Sequence, residues 1–563
     1  MPLFTVGVAA TRPSEVSEDM AAKPLPAHLH LLLTVVEHQL GPLACAVCRA
    51  LLQCGPMSLK DVADAVHRDE EMRAVAAAAA NRAAATGERT TSVPATHQIG
   101  TCLHVDLGAV ASARDVIHDV AVTEVMTRLV VHRLVHADAV THLYELRYGS
   151  AILLRVLFPL LLHCARQQYG EAARCVLLLV YQLGFVAPRA AVQVVLSRTP
   201  SLTQESVDYA VVRLMEDRWL VPVSDAADLD TTSAAAATAP HHVGLEAALH
   251  SLFNDALEQA VAERYSDGGM ALTLVRALRR RAAPHSGNAE AVASVQELAA
   301  GLPTHAGAVS VPTDAVERCL HRLCQPIVLF GCGDAATSAA PTGGVTATPA
   351  TRALLTTSAH GPGRVYALDH TTAVHLLQEA VCERVVYSRY GVLGVRIMKL
   401  LLHHHYLEER TLAEQSVATH TRTRDVLHCM FKDGFLHEQE VPRSAALAER
   451  APKTSVFLWG MSWSATLLPA VRESLAKALT MAWVKLRQAQ QTAATLSTPA
   501  VSRPRQSPTA GAAAAAHGDD VEAHGKYGAS RSAQHALQTQ RAITGLQSSV
   551  MSLMRLLLIV DFF

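Results

Sequence analysis

Tyr387 to Pro442 reads YSRYGVLGVRIMKLLLHHHYLEERTLAEQSVATHTRTRDVLHCMFKDGFLHEQEVP, and Ser455 to Trp459 reads SVFLW. Val392, Val395, Ile397, Met398, Leu401 and Leu402 recur at helical spacing and predict a first helix with one apolar stripe. Leu412 and Val417 give a second helix its apolar face. Val426, Leu427, Met430 and Phe431 share one side of a third, which ends at Gly434, a residue suited to the left-handed turn that closes a helix. Phe435-Leu436 and Val456 to Trp459 then predict two strands of a hairpin. Three helices followed by a strand pair is the winged-helix layout.

Working outward, the same layout recurs. Four first helices are predicted: Gly41 to Gly55, Gly170 to Gly184, the run after Tyr265 (SDGGMALTLVRALRRR), and Gly391 to His405. Second helices carry Val62 and Val66, Ala191 and Val195, and Leu412 and Val417 at matching offsets from the leading glycine. RLVVHRLV (128–135), RLMEDRWL (213–220), RLCQPIVL (322–329) and CMFKDGFL (429–436) align without gaps as third helices running into a strand. HLYEL (142–146), WLVPV (219–223), RVYAL (364–368) and VFLW (456–459) are the expected wings.

The expected fold is therefore mainly α: four tandem winged helices, each three helices plus a β-hairpin, then a C-terminal helical hairpin or coiled coil. The boundaries read 28–148, with a disordered insert at about 69–113; 149–224; a linker at 225–242; 243–369, with a disordered insert at about 333–363; and 370–460. The Ala/Thr-rich inserts Glu70 to Thr96, Ser224 to Pro240 and Gly333 to Gly363 lack the apolar area needed to offset ordering entropy. Beyond the fourth wing, Leu468, Val471, Leu475, Ala478 and Ala482 alternate at spacings of three and four, as do Leu546, Val550, Leu553, Leu557 and Val560. These seams predict that 461–491 and 533–563 pair as helices across a disordered 492–532.

Composition narrows the function classes. With 563 residues several domains are expected, and with half the residues apolar but 4% aromatic the cores are mainly Leu, Val and Ala. A net charge of −1 is unlike a protein whose main task is gripping duplex DNA, so nucleic-acid contact is expected to be local. Eleven scattered cysteines form no spaced set for zinc or a disulfide framework and suit a reducing compartment. Neither a signal peptide nor an uninterrupted apolar membrane span is read.

Candidate chemistry is sparse. A third helix that reads DNA presents Arg, Lys, Asn or Gln on its outer face. The fourth copy offers Arg422, Arg424, His428 and Lys432, and the first offers Arg128, His132 and Arg133. The second mixes Arg213 and Arg218 with Asp208, Glu216 and Asp217, which repel phosphate. Arg389, Arg396 and Lys399 on the fourth copy's first helix add possible phosphate contacts, or form an ordinary charged helix face. Arg279 to Arg281 is the densest basic run and equally suits a helix end. His403 to His405 point in different directions from a helix and lack partners for a tetrahedral metal site, and CAVC (45–48) lies in an apolar helix, so its thiols are expected to be structural. No nucleophile elbow, phosphate loop, dinucleotide site or spaced magnesium-binding Asp cluster is read, and neither a cofactor nor a metal is expected.

The segments LLQEAVCERVVYSRYGVLGVRIMKLLLHHHYLEERTLAEQSV and DVLHCMFKDGFLHEQEVP resemble the four-winged-helix subunit of the RNA polymerase III-specific heterotrimer. HLLLTVVEHQLGPLACAVCRALLQCGPMSLKDVA, LYELRYGSAILLRVLFP, LFNDALEQAVAERY and the terminal MRLLLIVDFF are similar to that family in the same order. The resemblance implies a non-catalytic, DNA-proximal, nuclear subunit of RNA polymerase III that helps open promoters of small non-coding RNA genes. It implies as partners the two other heterotrimer subunits, the clamp of the largest polymerase subunit and single-stranded or promoter DNA, with no membrane and no small-molecule substrate. Two alternatives remain open at this point: a free-standing factor of the transcription factor IIE kind, which would carry a zinc ribbon, and a winged-helix scaffold of a non-transcription complex, which would carry a long helical-repeat array.

Overall fold

A computed structural model describes residues 26–69, 71, 111–138, 140–146, 150–223, 239–265, 269–281, 293–300, 312–325, 327–328, 351–360, 363–442, 455–497 and 520–562. The chain is mainly helical, with small antiparallel sheets. In the fourth segment, helix His370–His404 breaks at Gly391 (φ 69°, ψ −164°). Helices Glu409–Gln415 and His420–Lys432 follow, then strands His437–Pro442 and Ser455–Gly460. Ile397, Met398, Leu401, Leu412, Leu427, Met430 and Phe435 are almost fully buried between them. Burying one such side chain is worth about 1.5–3 kcal/mol, so the helix triad closes around its apolar stripe.

The same order of elements is seen three more times. Pro42–Cys54, 59–69 and Ala111–Val131 precede the pair Val135–Ala137 and Tyr144–Leu146. Glu171–Leu183, Pro188–Arg198 and Gln204–Glu216 precede Leu220–Pro222 and His241–Val243. Met270–Arg281, Val295–Ala300 and Thr313–Leu323 precede Leu355–His360 and Gly363–Leu368. Each segment also has a short extended piece between its first and second helices that pairs with the far wing strand. Met57 bridges to Tyr144, Val186 to His241, Ala293 to Tyr366, and Tyr406 to Gly460. Alternation over one to three residues is too short to register as a strand, so the sequence reading missed this third strand.

A long helix leads into each segment: Ala27–Leu40, Ser150–Tyr169, Leu245–Arg264, and the part of His370–His404 that precedes Gly391. Between leading helix and first helix lies a glycine with positive φ: Gly41, Gly170, Gly269 and Gly391. Only glycine turns the chain there without a Cβ penalty. The leading helices meet the C-terminal helices Leu468–Ser497 and Asp520–Phe562, which lie along each other. Ala27 N donates to Glu473 Oε2 (3.1 Å), and Gln378 Nε2 donates to the Ile559 carbonyl (3.4 Å). The four segments thus join, through glycine corners, a helical hub.

Several expectations are corrected. Val417 is not on the second helix; it follows it, with φ 55°, and is 83% exposed. Val392 and Phe431 are also more exposed than buried stripes allow. His241–Val243, assigned to a linker at 225–242, is the wing partner of Leu220–Pro222, so the second segment runs past 224. The insert at 333–363 contains strands Thr351–Arg352 and Leu355–His360, with Leu354 and Leu355 buried. Helices occupy 111–113 within the first insert, and 492–497 and 520–532 within the expected C-terminal gap. Glu70 to Thr96, apart from Glu71, and residues 224–238 lie outside the described residues. In the C-terminal pair Ala478 faces outward and Leu479 is buried instead, because the face is wider than a strict seam. By length and composition Leu537–Val560 is long and apolar enough to cross a membrane, against the expectation of no such span. Its Ile543, Val550, Met554 and Leu557 are buried in the structure.

Candidate nucleic-acid interface

The helix His420–Lys432 buries Thr423, Leu427 and Met430 and turns its remaining arc outward. Its end is clasped. Tyr390 Oη donates to Asp433 Oδ2 (2.5 Å), Arg389 Nη2 reaches the same oxygen (3.2 Å), and Arg389 Nη1 donates to Ser474 Oγ (2.8 Å). Tyr390 also stands edge-on to Phe435, with centroids 5.6 Å apart. The second segment repeats the clasp: Tyr169 Oη donates to Asp217 Oδ2 (2.7 Å), and its ring stands edge-on to Trp219. Burial, reinforced by the aspartate accepting each phenol proton, holds both tyrosines well above the usual phenol range. The clasp joins the residue before the hinge glycine to the residue closing the third helix. It went unread in the sequence, although a tyrosine before glycine and an Asp-x-aromatic after the third helix occur in both copies.

The basic candidates are not gathered into one patch. Arg424 Nε lies 2.8 Å from Glu409 Oε1, and His420 shares that carboxylate. Lys399 Nζ lies 2.6 Å from Glu383 Oε1. Beside that pair, burial and then the Glu383 charge push the Glu379 carboxyl up to about 7, against the pull of Lys399. Arg396 Nη1 donates to the Ser416 carbonyl (3.1 Å). His428 packs edge-on to Trp459 of the wing, as does Phe431. Arg133 Nη1 donates to His242 Nε2 (2.6 Å), tying the first segment to the second. Burial and then Arg133 lower His242 to about 4, so the ring accepts as the neutral base. Arg422, Lys432 and Arg128 are exposed with no ion pair among the described residues. On the outer arc of His420–Lys432, Lys432 and His428 have Asp425 among them. That mixed surface suits weak, salt-sensitive phosphate contact better than base reading.

Residues 382–461 match the family model described as POLR3C, C-terminal winged-helix domain. This segment is similar to the POLR3C winged helix. The matched residues span the hinge at Gly391, the three helices and the three-stranded sheet. The chain is 33% identical over 94 residues to DNA-directed RNA polymerase III subunit rpc3 of Ajellomyces capsulatus, covering 17% of this chain and 14% of that protein. It is 36% identical over 83 residues to the rpc3 subunit of Emericella nidulans, covering 15% and 13%. It is 32% identical over 94 residues to subunit RPC-3 of Coccidioides immitis, covering 17% and 14%. The matched stretch thus spans about a seventh of the length of these curated relatives.

The other candidates resolve on geometry. Cys45 and Cys48 are buried, and burial pushes their thiols up to about 11 and about 12, where little thiolate forms. The His403 and His404 rings lie edge to face at 4.6 Å. Among the described residues no three His, Cys, Asp or Glu side chains converge as metal ligands.

Proposed function

We propose that this protein is a non-catalytic subunit of nuclear DNA-directed RNA polymerase III, built from four tandem winged helices on a helical hub. The reading rests on the likeness of residues 382–461 to the POLR3C winged-helix domain. The recurrence of leading helix, hinge glycine, three helices and wing in four segments supports it. In this reading the winged helices lie beside the clamp of the largest subunit and near the melted promoter, with two smaller heterotrimer subunits as neighbours. Promoter opening is assisted by weak phosphate contacts from Lys432, His428 and Arg128, which lower the cost of holding strands apart. Catalysis belongs to the polymerase as a whole.

Purification of the tagged chain, with identification of stoichiometric co-purifying chains, tests this. Recovery of polymerase III-specific subunits is expected, and stoichiometric recovery of an unrelated assembly removes the reading. For the DNA contact, Lys432→Glu is expected to weaken single-strand binding about two- to fivefold at low salt, an effect that fades as salt rises.

A further inference from the structure

A shallow groove lies between the first helix of the fourth segment and the turn joining its second and third helices. It is lined by Val392, Leu393, Arg396, Ser416 to Thr419, and Arg422. Two features of Val417 are at odds with a purely structural role. It is a β-branched residue in the left-handed region (φ 55°), a conformation costly for such a side chain. Its backbone is held there by Val417 N donating to the Glu414 carbonyl (3.3 Å) and Ala418 N to the Ala413 carbonyl (3.1 Å), a helix-closing turn that glycine fills best. Yet the side chain so placed buries almost nothing, being 83% exposed beside Val392 at 54%. Strain with no packing return inside the chain points to packing against something outside it.

The charge of the rim says what that is. Arg396 is anchored by the Ser416 carbonyl, which fixes its guanidinium at the groove wall. Arg422, on the third helix, also lines the groove, exposed and without an ion pair among the described residues. An apolar floor between two guanidinium groups complements a chain segment that carries carboxylates among apolar side chains. Nucleic acid would leave Val392 and Val417 against hydrated phosphate or sugar, with no aromatic ring among the lining residues on which a base could stack. We propose that this groove is a docking site for an acidic, apolar peptide segment of a partner protein, and that Val417 and Arg422 are its anchors. Arg422 thus serves a protein contact, whereas Lys432 on the outer arc is left to nucleic acid.

The test places p-benzoylphenylalanine at Val392 in the tagged full-length chain, irradiates the assembly as purified, and maps the adduct by mass spectrometry. The expected adduct is a protein segment with carboxylates among apolar residues. Arg422→Glu is expected to cut its yield at least tenfold. Val417→Gly is expected to lower the yield while raising the melting temperature of the isolated chain, because it relieves the strained turn. An adduct with nucleic acid, no adduct, or a yield unchanged in both variants overturns the proposal. The identities of the co-purifying chains are read from the same sample, so failure of the polymerase assignment is scored separately from failure of the groove.

Discussion

At the scale of single residues, the fourth segment depends on polar groups that sequence patterns do not reveal. Tyr390→Phe removes the hydrogen bond to Asp433 and leaves Arg389 as that carboxylate's remaining side-chain partner among the described residues. Its expected cost is about 0.5–1.5 kcal/mol, read as a lower urea midpoint with the slope unchanged. Glu379 gives a pH signature. Its folded value of about 7 lies above the ordinary 4.5, so the folded state holds a proton that the unfolded chain releases. Stability from this group is full below about pH 4.5 and is lost as pH rises through 7. Glu379→Gln should therefore stabilise the protein by about 1–3 kcal/mol at pH 8 and by nothing near pH 4, seen in paired melts at the two pH values. His242 acts in the opposite direction. Its folded value of about 4 lies below the ordinary 6.5, so protonation favours the unfolded chain as pH falls from 6.5 to 4, and His242→Gln should blunt that acid loss.

At the scale of elements, the glycine corners and the C-terminal pair make separate predictions. A Cβ at Gly391 would meet no atom within 4 Å, so Gly391→Ala tests the backbone alone. A φ of 69° with ψ of −164°, a region open essentially to glycine alone, should make the substitution destabilising by about 1–3 kcal/mol, with no change in the contacts of neighbouring side chains. Val471 and Leu475 lie on the buried side of Leu468–Ser497. Leu475→Ala should cost about 2–5 kcal/mol, whereas Ala478→Leu, on the exposed side, should be nearly neutral. Equal effects at both positions would contradict the observed face and restore the simple alternating seam.

At the scale of the molecule, the C-terminal helices are the common support. Asp520–Phe562 contacts the leading helices Ser150–Tyr169, Leu245–Arg264 and His370–His404 as well as its partner Leu468–Ser497. Removing residues 520–563 should expose Val471, Leu475 and Leu479 and drive the chain to associate, measured by size-exclusion chromatography with light scattering. The first segment has a core of its own, from Leu32 through Leu146, distinct from the continuous core of the rest. Its helices should therefore survive that deletion, with slower amide exchange than the second to fourth segments.

The sequence by itself determined where the first and third helices of the segments fall, while the leading helices went unread. Apolar spacing is local, so Gly41 to Gly55 and Gly170 to Gly184 bracketed helices Pro42–Cys54 and Glu171–Leu183 to the residue, and the ungapped third-helix alignment places left-handed residues Arg133, Arg218 and Gly434 in register. Only the tertiary structure decided what those helices do together. The wing partner at His241–Val243, the one-residue strand at Met57, the clasp of Tyr390 on Asp433 and the hub all join residues far apart in the chain. The same holds for the basic residues. Charge type is legible one residue at a time, but whether Arg133, Arg424 or Lys399 faces solvent or a carboxylate is decided by which distant group folding brings beside it.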